Sequence, residues 1–431
     1  MNNNIDNRPE KKRWRKIILA CVMALVVLVS FVGGYFSRYL FEKKAVTVTS
    51  DLVRIIEQFG CVLDPETGEM RALTERDYAD ALVNGLLDEY SNYFTEEEYE
   101  YITKNSKGSY DGFGFSIYKD TNVVFKVTGN SPCDVAGLKA GDKIVSVTFA
   151  DGVEKELSTG VDLSELLYSV SLGSPVTLNV MRSEILKSIT VTPAQYKASY
   201  VTYMDSETEY VFRTGDDGKF VGVETSGGMS DLGETVAYIR LDQFEGDAAN
   251  QFGDALKRMN ERGRTKLVLD LRNNGGGYMD VLIDVASYLI INGDNRKTVV
   301  AYSESKSDME DYAFKGSNFY DNVSEIAVIA NENTASASEC LIGAMLCYGD
   351  RFSKENLIIE KNADGVAKTF GKGIMQTTYG LIKGGAFKLT TARILWPDKT
   401  TCIHGKGIVA DGLNATEAGF SALKRAVETL G

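Results

Sequence analysis

Two segments in the C-terminal half share one pattern, in which an apolar run leads through a turn into a helical repeat. KLVLDLRN begins at Lys266 and precedes YMDVLIDVASYLI, and EIAVIANEN begins at Glu325 and precedes SECLIGAMLCYG. Continuous apolar runs of this length are typical of strands buried on both faces, and strand–turn–helix repetition is typical of α/β folds. We therefore predict an α/β core over residues 198–431.

The two regions before this core have different periods. Residues 45–107 carry apolar residues at three- and four-residue intervals, as in DYADALVNGLLDEY, which predicts a helical N-terminal segment. Residues 108–197 contain short apolar runs separated by Gly, Asn and Asp, which indicates small strands joined by turns. We expect a compact, mostly-β domain there, with one short helix in DLSELLYSVSLG, inserted between the helical segment and the α/β core.

The N-terminus contains twenty consecutive residues without a charge, 17–36, which is long enough to cross a bilayer as a helix. Basic residues precede this run, and Trp14 and Tyr35 lie near its ends, as interfacial aromatics do. This pattern predicts a single N-terminal transmembrane helix at 17–36, a basic cytoplasmic tail at 1–16, and a location in the cell membrane with the rest of the chain outside the cytoplasm. A cleaved signal peptide and a buried core helix are the alternatives, although no A-x-A-like cleavage site follows the run.

Charge and cysteine content exclude several classes of function. The net charge is −13, and because residues 1–44 hold nine Lys/Arg and three Asp/Glu, the remainder carries −19. Such an acidic body argues against nucleic acid as a partner. The 6 cysteines include no C-x-x-C pair, so neither a zinc site nor a redox motif has support, and we predict no metal and no cofactor.

Three segments of the core contain residues suited to catalysis. LDLRNNGGGYMD, 269–280, ends a strand in glycines whose N–H groups can face an oxyanion, although a tight strand-to-helix turn is the simpler interpretation. NENTASASE, from Asn331, places serines where a helix begins, and these serines either cap the helix or include a nucleophile. TFGKGIMQ, 369–376, sets Lys372 between glycines but lacks the spacing of a phosphate-binding loop, and a solvated loop lysine is its simpler interpretation.

A serine nucleophile needs a base, and two residues are candidates. His404 is the only histidine in the chain, and no motif connects it with a serine. A lysine serves as the base if it is neutral, which requires its pKa to fall from about 10.4 to about 7–8, a change of roughly 4 kcal/mol. Burial supplies such a shift, and Phe370, Ile374 and Met375 flank Lys372 with apolar bulk.

Taken together, these segments resemble the carboxyl-terminal processing peptidases, which are serine proteases with a PDZ domain and a Ser–Lys dyad. DLRNNGGG, TASASE and FGKGIMQ occur in the family's order, LLDEYSNYFTEEEY resembles the segment before its PDZ domain, and IHGKGIVAD resembles its closing signature. GFGF and SPCDVAGLKAGDKI are similar to the PDZ domain itself. The resemblance covers residues 75–415 and implies an α/β protease core at 198–431 with a PDZ domain at 108–197.

The resemblance also implies catalytic roles. Ser336 would be the nucleophile, Lys372 the general base and Gln376 the residue that orients the lysine. The oxyanion hole would use the N–H of Ala337 and one from Gly276 or Gly277. Two features depart from the family: the Ser–Lys interval is longer than usual, with extra residues that look like the polar loop SKENLIIEKNAD, and Ala410 replaces a proline.

The PDZ resemblance implies that the protein captures the C-terminal tails of polypeptides, with a preference for apolar ends. The predicted peptide-binding residues are the GFGF loop and two leucines of the following helix: Gly112, Phe113, Gly114, Phe115, Leu166 and Leu167. The aromatic residues of this set could equally be core residues of the domain.

The resemblance implies a membrane-anchored serine endopeptidase that acts on polypeptide substrates. An inactive peptide-binding scaffold is the alternative that the long Ser–Lys interval leaves open, and an esterase or amidase is a third. A homo-oligomer is possible, because the helical segment and the C-terminal helix EAGFSALKRAVETL could join subunits.

Overall fold

The protein is described from a computed structural model. The residues described are 52–58, 62–63, 69–118, 120–157, 163–291, 296–316, 320–382 and 384–431. Contacts within the chain divide it into two units, 1–85 and 86–431.

The first unit is small. Its described part contains a helix at 52–58 (α1), the antiparallel strands β1 (Val62–Leu63) and β2 (Met70–Arg71), and most of α2 (Glu75–Leu86). Helix α2 begins with a capping box, in which the Asp77 carboxylate accepts from the Thr74 N–H at 2.7 Å and Thr74 Oγ1 accepts from the Asp77 N–H at 3.3 Å. The segment predicted to be helical therefore also contains strands.

The second unit begins with a short strand and a helix, and continues into a mostly-β domain. Its elements up to residue 197 are β3 (Asn92–Phe94), α3 (Glu96–Ser106), β4 (Ser109–Gly112), β5 (Phe115–Ile117), β6 (Val124–Val127), α4 (Pro132–Ala136), β7 (Lys143–Thr148), β8 (Glu154–Glu156), α5 (Leu163–Tyr168), β9 (Val176–Arg182), β10 (Ile185–Val191) and β11 (Ala194–Lys197).

The mostly-β domain has its own core. Four strands form a sheet in the order β10-β9-β7-β8, and β5 pairs with β6. Alternate residues of β9 are buried, as expected for a sheet with one face on a core. Strands β4 and β11 pair antiparallel, so the chain enters and leaves this domain through one two-stranded ribbon.

The rest of the chain forms the predicted α/β core. Its elements are β12 (Val201–Met204), β13 (Glu209–Thr214), β14 (Phe220–Thr225), β15 (Val236–Leu241), α6 (Ala248–Glu261), β16 (Lys266–Asp270), α7 (Met279–Leu289), β17 (Lys297–Glu304), β18 (Met309–Lys315), β19 (Glu325–Ala330), α8 (Ala337–Tyr348), β20 (Leu357–Glu360), β21 (Ile374–Gly380), β22 (Ala386–Leu395), β23 (Ala415–Thr416) and α9 (Phe420–Leu430).

An eight-stranded sheet organises this core, in the order β14-β13-β12-β15-β16-β19-β20-β23. From β15 to β23 the neighbouring strands are parallel. Alternate residues of β19 face opposite layers: Val328 packs with α6, α7 and α8, whereas Ala327 and Ile329 pack with α9. Both faces are therefore covered, which explains the continuous apolar runs in the sequence.

The C-terminal helix packs within its own chain. Ala422, Leu423, Ala426 and Leu430 of α9 are buried against the sheet. This apolar face is consequently covered by the chain's own core, rather than left open to join subunits as the sequence suggested.

A second sheet holds the segment after the predicted base. Its order is β18-β17-β22-β21, and β3 pairs antiparallel with β22 through Phe94 opposite Ala386 and Asn92 opposite Lys388. The segment before the mostly-β domain therefore contributes a strand to the same sheet as β21, which begins just after Lys372.

The extra residues between Ser336 and Lys372 are not a polar loop. Lys354–Asn356 form one 3₁₀ turn, and Leu357–Glu360 form β20, in which all four residues are buried. Strand β20 lies between β19 and β23 in the large sheet. The sequence-based interpretation was wrong because the charged residues around LIIE concealed a strand that is covered on both faces.

The predicted transmembrane helix is also corrected. Within the described residues, no helix is both long enough and apolar enough to span a bilayer. A spanning helix needs about 20 residues, whereas α6, the longest helix in the described part of the chain, has 14. Residues 17–36 and the predicted tail 1–16 lie outside the described residues. No helix in the described part of the chain therefore supports the predicted transmembrane part of the fold class, the location in the cell membrane or the membrane contact.

Candidate active site

Ser336 lies at the turn between β19 and α8, and its backbone is strained. Its φ of 56° and ψ of −115° are unusual for a residue with a side chain, and such a conformation costs of the order of 1–3 kcal/mol. Residues held this way cluster at functional sites, because the surrounding structure must compensate for the strain. The turn also places Ser336 at the positive end of the α8 dipole.

The neighbouring hydroxyl groups hold this turn in place. Thr334 Oγ1 donates to the Leu271 carbonyl at 2.8 Å, and Ser338 Oγ donates to the Asn274 carbonyl at 3.0 Å. Both side chains are fully buried, whereas Ser336 is partly exposed. Of the three hydroxyl residues, Ser336 is therefore the one within reach of a substrate.

The glycine-rich turn after β16 packs directly against Ser336. A Cβ on Gly276 would lie 2.8 Å from Ser336 Cβ, and a Cβ on Gly277 would lie 2.2 Å from the Phe244 carbonyl oxygen. Their φ values of 101° and 149° also require glycine. Phe244 holds the turn on both sides: its N–H donates to the Gly276 carbonyl, and its carbonyl accepts from the Tyr278 N–H.

The two N–H groups of this turn that are predicted to donate to an oxyanion differ in whether they already donate a hydrogen bond within the protein. The Gly276 N–H donates to Asn274 Oδ1 at 2.9 Å. The Gly277 N–H has no hydrogen-bond partner within the described part of the chain. Ala337, the third predicted donor, is the first residue of α8 and is buried next to Ser336.

A buried carboxylate joins the serine turn to the loop that contains Lys372. Glu339 is fully buried, and its Oε2 accepts from the Ser336 N–H at 2.9 Å and from the Lys372 N–H at 3.0 Å. Its Oε1 accepts from the Gly371 N–H at 2.8 Å and from Thr369 Oγ1 at 2.5 Å. The backbones of the two predicted catalytic residues are therefore both within hydrogen-bond distance of one oxygen atom, despite the long interval between them in the sequence.

Sequence reasoning missed Glu339, although a signal was present. Ser336 and Glu339 have the S-x-x-E spacing of a capping box, in which the glutamate reaches back to the N–H of the capping residue. Burial raises the pKa of Glu339, and the hydrogen bonds from Thr369, Lys372, Gly371 and Ser336 oppose that rise.

The environment of Lys372 favours the neutral amine. Burial is the largest cause that lowers its pKa, the charge of Lys388 lowers it further, and Asp88 opposes both. The aromatic ring beside the ammonium is that of Tyr90, whose centroid is 5.1 Å from Lys372 Nζ. Of the apolar neighbours expected from the sequence, Ile374 is buried, but Phe370 is 50% exposed.

The described contacts connect some predicted residues and not others. Gln376 Nε2 donates to Thr390 Oγ1 at 3.1 Å, and within the described part of the chain it makes no hydrogen bond to Lys372. Ser336 Oγ and Lys372 Nζ are likewise not hydrogen-bonded to each other there. His404 is exposed, and its ring lies edge-on to Tyr90 at 6.4 Å between centroids.

The predicted peptide-binding residues lie around β4, β5 and α5 of the mostly-β domain. Gly112 ends β4, Gly114 follows it, and Phe115 begins β5. Phe113, Phe115 and Leu166 are partly buried against the domain core, and Leu167 is buried within it. These aromatic side chains therefore contribute to the core, and their role in binding peptides stays a prediction.

Comparison with known proteins identifies the parts of this chain. The Peptidase family S41 model matches residues 235–412, and a PDZ domain model matches residues 110–192. The chain is 29% identical over 421 residues to the "Probable CtpA-like serine protease" of Staphylococcus aureus (strain N315), which covers 95% of this chain and 74% of that protein. A "Probable CtpA-like serine protease" of Staphylococcus saprophyticus is 28% identical over 371 residues, which cover 84% of this chain and 65% of that protein. Among solved structures, the photosystem II D1 C-terminal processing protease matches with a TM-score of 0.46 and 20% identity, over 83% of this chain and 87% of that one.

The two family matches follow the architecture of the second unit. The PDZ match lies in the mostly-β domain that the β4–β11 ribbon joins to the core. The S41 match runs from β15 past the IHGKGIVAD segment and includes the turns that hold Ser336 and Lys372. The α/β core of this chain thus matches peptidase family S41, its mostly-β domain matches a PDZ domain, and 95% of the chain aligns with a CtpA-like serine protease.

Proposed function

We propose that this protein is a serine endopeptidase in which Ser336 is the nucleophile and Lys372 is the general base. The observation that carries the proposal is the Glu339 carboxylate, which accepts hydrogen bonds from the backbone N–H groups of both residues. The strained backbone of Ser336 and the lowered pKa of Lys372 support the same assignment.

The proposed reaction is acyl transfer. Ser336 Oγ attacks the peptide carbonyl carbon while Lys372 Nζ takes the hydroxyl proton. The oxyanion forms beside the N–H groups of Ala337 and Gly277, which stabilise its charge. The tetrahedral intermediate then collapses, the C–N bond breaks, and the leaving amine takes the proton from Lys372. Water attacks the acyl-enzyme by the same route and regenerates Ser336.

We further propose that the PDZ domain selects polypeptides by their C-terminal tails. A cavity of about 760 Å³ adjoins the glycine-rich turn at Tyr278 and extends to Lys107 and Lys197, near the ribbon that joins the two domains. Its lining mixes lysines with Asp247 and Asp280, which suits the backbone and mixed side chains of a polypeptide better than a small apolar ester.

The nucleophile is tested with the full chain and an unfolded protein substrate that ends in apolar residues. Ser336→Ala should lower kcat by at least about 10³-fold, because the attacking oxygen is lost. Ser305→Ala, in an exposed turn between β17 and β18, is the matched control and should leave kcat unchanged. Cleavage by Ser336→Ala at the wild-type rate would show that the assignment is wrong.

The tail preference is tested with the same substrate carrying two additional C-terminal aspartates. If the PDZ domain captures apolar ends, KM should rise about tenfold with kcat nearly unchanged, since tail capture precedes the chemical step. Equal KM values for the two substrates would exclude tail selection. Binding of the apolar tail without any cleavage by the wild-type chain would instead favour an inactive scaffold.

A further inference from the structure

Tyr90 lies in the segment of the sequence between α2 and β3, and its ring lies beside the amine of the predicted base. Lys372 Nζ is 5.1 Å from the ring centroid, within the distance at which an aromatic face interacts with a cation. The side chain is itself partly buried, and His404 packs edge-on against the same ring. The Tyr90 ring is therefore in contact with both the amine of Lys372 and the imidazole of His404.

Contacts of the residues next to Tyr90 in the sequence fix its position. Ser91 Oγ donates to Asp88 Oδ1 at 2.8 Å and accepts from the Thr390 N–H at 3.2 Å. Strand β3 then pairs with β22, the strand next to β21, which begins two residues after Lys372. The segment on either side of Tyr90 is thus tied to the hairpin that follows the base.

Building on the proposed function, we propose that Tyr90 is a positioning residue that keeps Lys372 Nζ out of water and directed toward the substrate side of Ser336. The ring has two opposing effects. Its electron-rich face favours the ammonium, while its bulk excludes the water that would solvate the charge, which favours the neutral amine.

We expect desolvation to be the larger of these two effects, because the Lys372 amine is largely buried. Burial is the first cause of the lowered pKa of Lys372, ahead of every charge around it. The other charged or titratable groups that face this amine or its loop are Lys388 on β22, Asp88 beside Tyr90, His404 on the neighbouring loop, and Glu339, which accepts from the Lys372 N–H. Removing the ring should therefore raise the pKa of Lys372.

The experiment compares full-length Tyr90→Leu, Tyr90→Phe and Lys372→Ala in kcat and KM between pH 6 and 10, with Tyr379→Leu as the control for loss of an exposed tyrosine from the same hairpin. Tyr90→Leu should move the midpoint of the rising limb of kcat upward by about one pH unit. This corresponds to an about tenfold lower kcat at pH 7 that recovers at high pH, with little change in KM. Tyr90→Phe and Tyr379→Leu should keep the wild-type profile.

Two results would overturn the role of Tyr90: a Tyr90→Leu profile that coincides with the wild type or moves to lower pH, and a loss of kcat that is equal at every pH. If leucine prevents folding, Tyr90→Met provides the same comparison with a longer side chain. Lys372→Ala separates the two proposals. If it retains activity, the base assignment fails; if it is inactive while the Tyr90→Leu profile does not move, the role of Tyr90 alone fails.

Discussion

Lys372 must lose its proton before it can act as a base, and two charged neighbours affect that step in opposite directions. Lys388 disfavours the ammonium and lowers the pKa of Lys372, whereas Asp88 favours the ammonium and raises it. The activity of the wild type should consequently rise with pH as Lys372 deprotonates.

Substitutions of these two neighbours should shift the pH–rate profile with opposite signs. Lys388→Met removes a like charge, so the pKa of Lys372 rises and the rising limb moves to higher pH; Asp88→Asn removes an opposite charge, so the limb moves to lower pH. We expect shifts of about half a pH unit each, because both groups interact through partly solvated space. The measurement is kcat between pH 6 and 10, and shifts in the same direction would contradict the assignment of Lys372.

Glu339 should be needed for catalysis although it does not contact the reacting atoms. Glu339→Gln keeps one acceptor but turns an amide NH₂ toward backbone N–H groups, which leaves buried donors unpaired at a cost of about 1–3 kcal/mol. The loop that contains Lys372 should therefore shift, because its N–H groups lose their acceptor. We expect this shift to lower kcat by about 10–100-fold, with a smaller effect on KM. Glu332→Gln, at an exposed position of the same turn, is the control, and thermal melting checks that both variants are folded. A Glu339→Gln variant with wild-type kcat would exclude this role.

In the glycine-rich turn, Gly276 and Gly277 each pack closely against a different segment of the chain. Gly276→Ala would bring a methyl group within 2.8 Å of Ser336 Cβ, and Gly277→Ala would bring one within 2.2 Å of the Phe244 carbonyl. Both should lower kcat by at least about 10²-fold, because the proposed oxyanion donors would move away from the carbonyl oxygen. At Gly275 a Cβ meets nothing within 4 Å and φ is not positive. Gly275→Ala should therefore keep most of the activity, and equal losses in all three variants would contradict this account.

The elements of the core differ in how visible they are in the sequence. Strands β16 and β19 and helices α7 and α8 lie where the sequence predicts them, because their apolar periods are long and uninterrupted. Strand β20 was missed because it is only 4 residues long and is flanked by charged residues. Its burial follows from its place between β19 and β23, which no local pattern indicates.

The stability of the whole core should depend on pH through buried carboxylates. Asp205 is fully buried and accepts from Arg262 Nε at 2.9 Å, from Tyr203 OH at 3.0 Å, and from two backbone N–H groups. Although burial alone would raise its pKa, these hydrogen bonds hold the pKa of Asp205 well below its usual range. A carboxylate with a lowered pKa stabilises the folded state above its unfolded pKa, and this contribution is lost as the pH falls.

Asp205→Asn should therefore destabilise the core by about 3–5 kcal/mol at neutral pH, since it leaves Arg262 and Arg264 without their shared buried partner. The difference from wild type should shrink as the pH falls below about 4. The measurement is the thermal midpoint as a function of pH, with Asp254→Asn, an exposed residue of α6, as the control. A difference that stays constant down to pH 2 would mean that Asp205 is not the titrating group.

Short-range patterns in the chain were sufficient to predict the α/β core, to recognise the family and to propose Ser336 and Lys372, because each of these depends on residues close together in sequence. The contacts around those two residues depend instead on how distant segments pack. The fold brings the FGKG loop over Glu339, pairs β3 with β22 so that Tyr90 reaches Lys372, and directs Gln376 to Thr390. A side chain's partners are set by whichever segment comes to lie against it, and no local period encodes that choice.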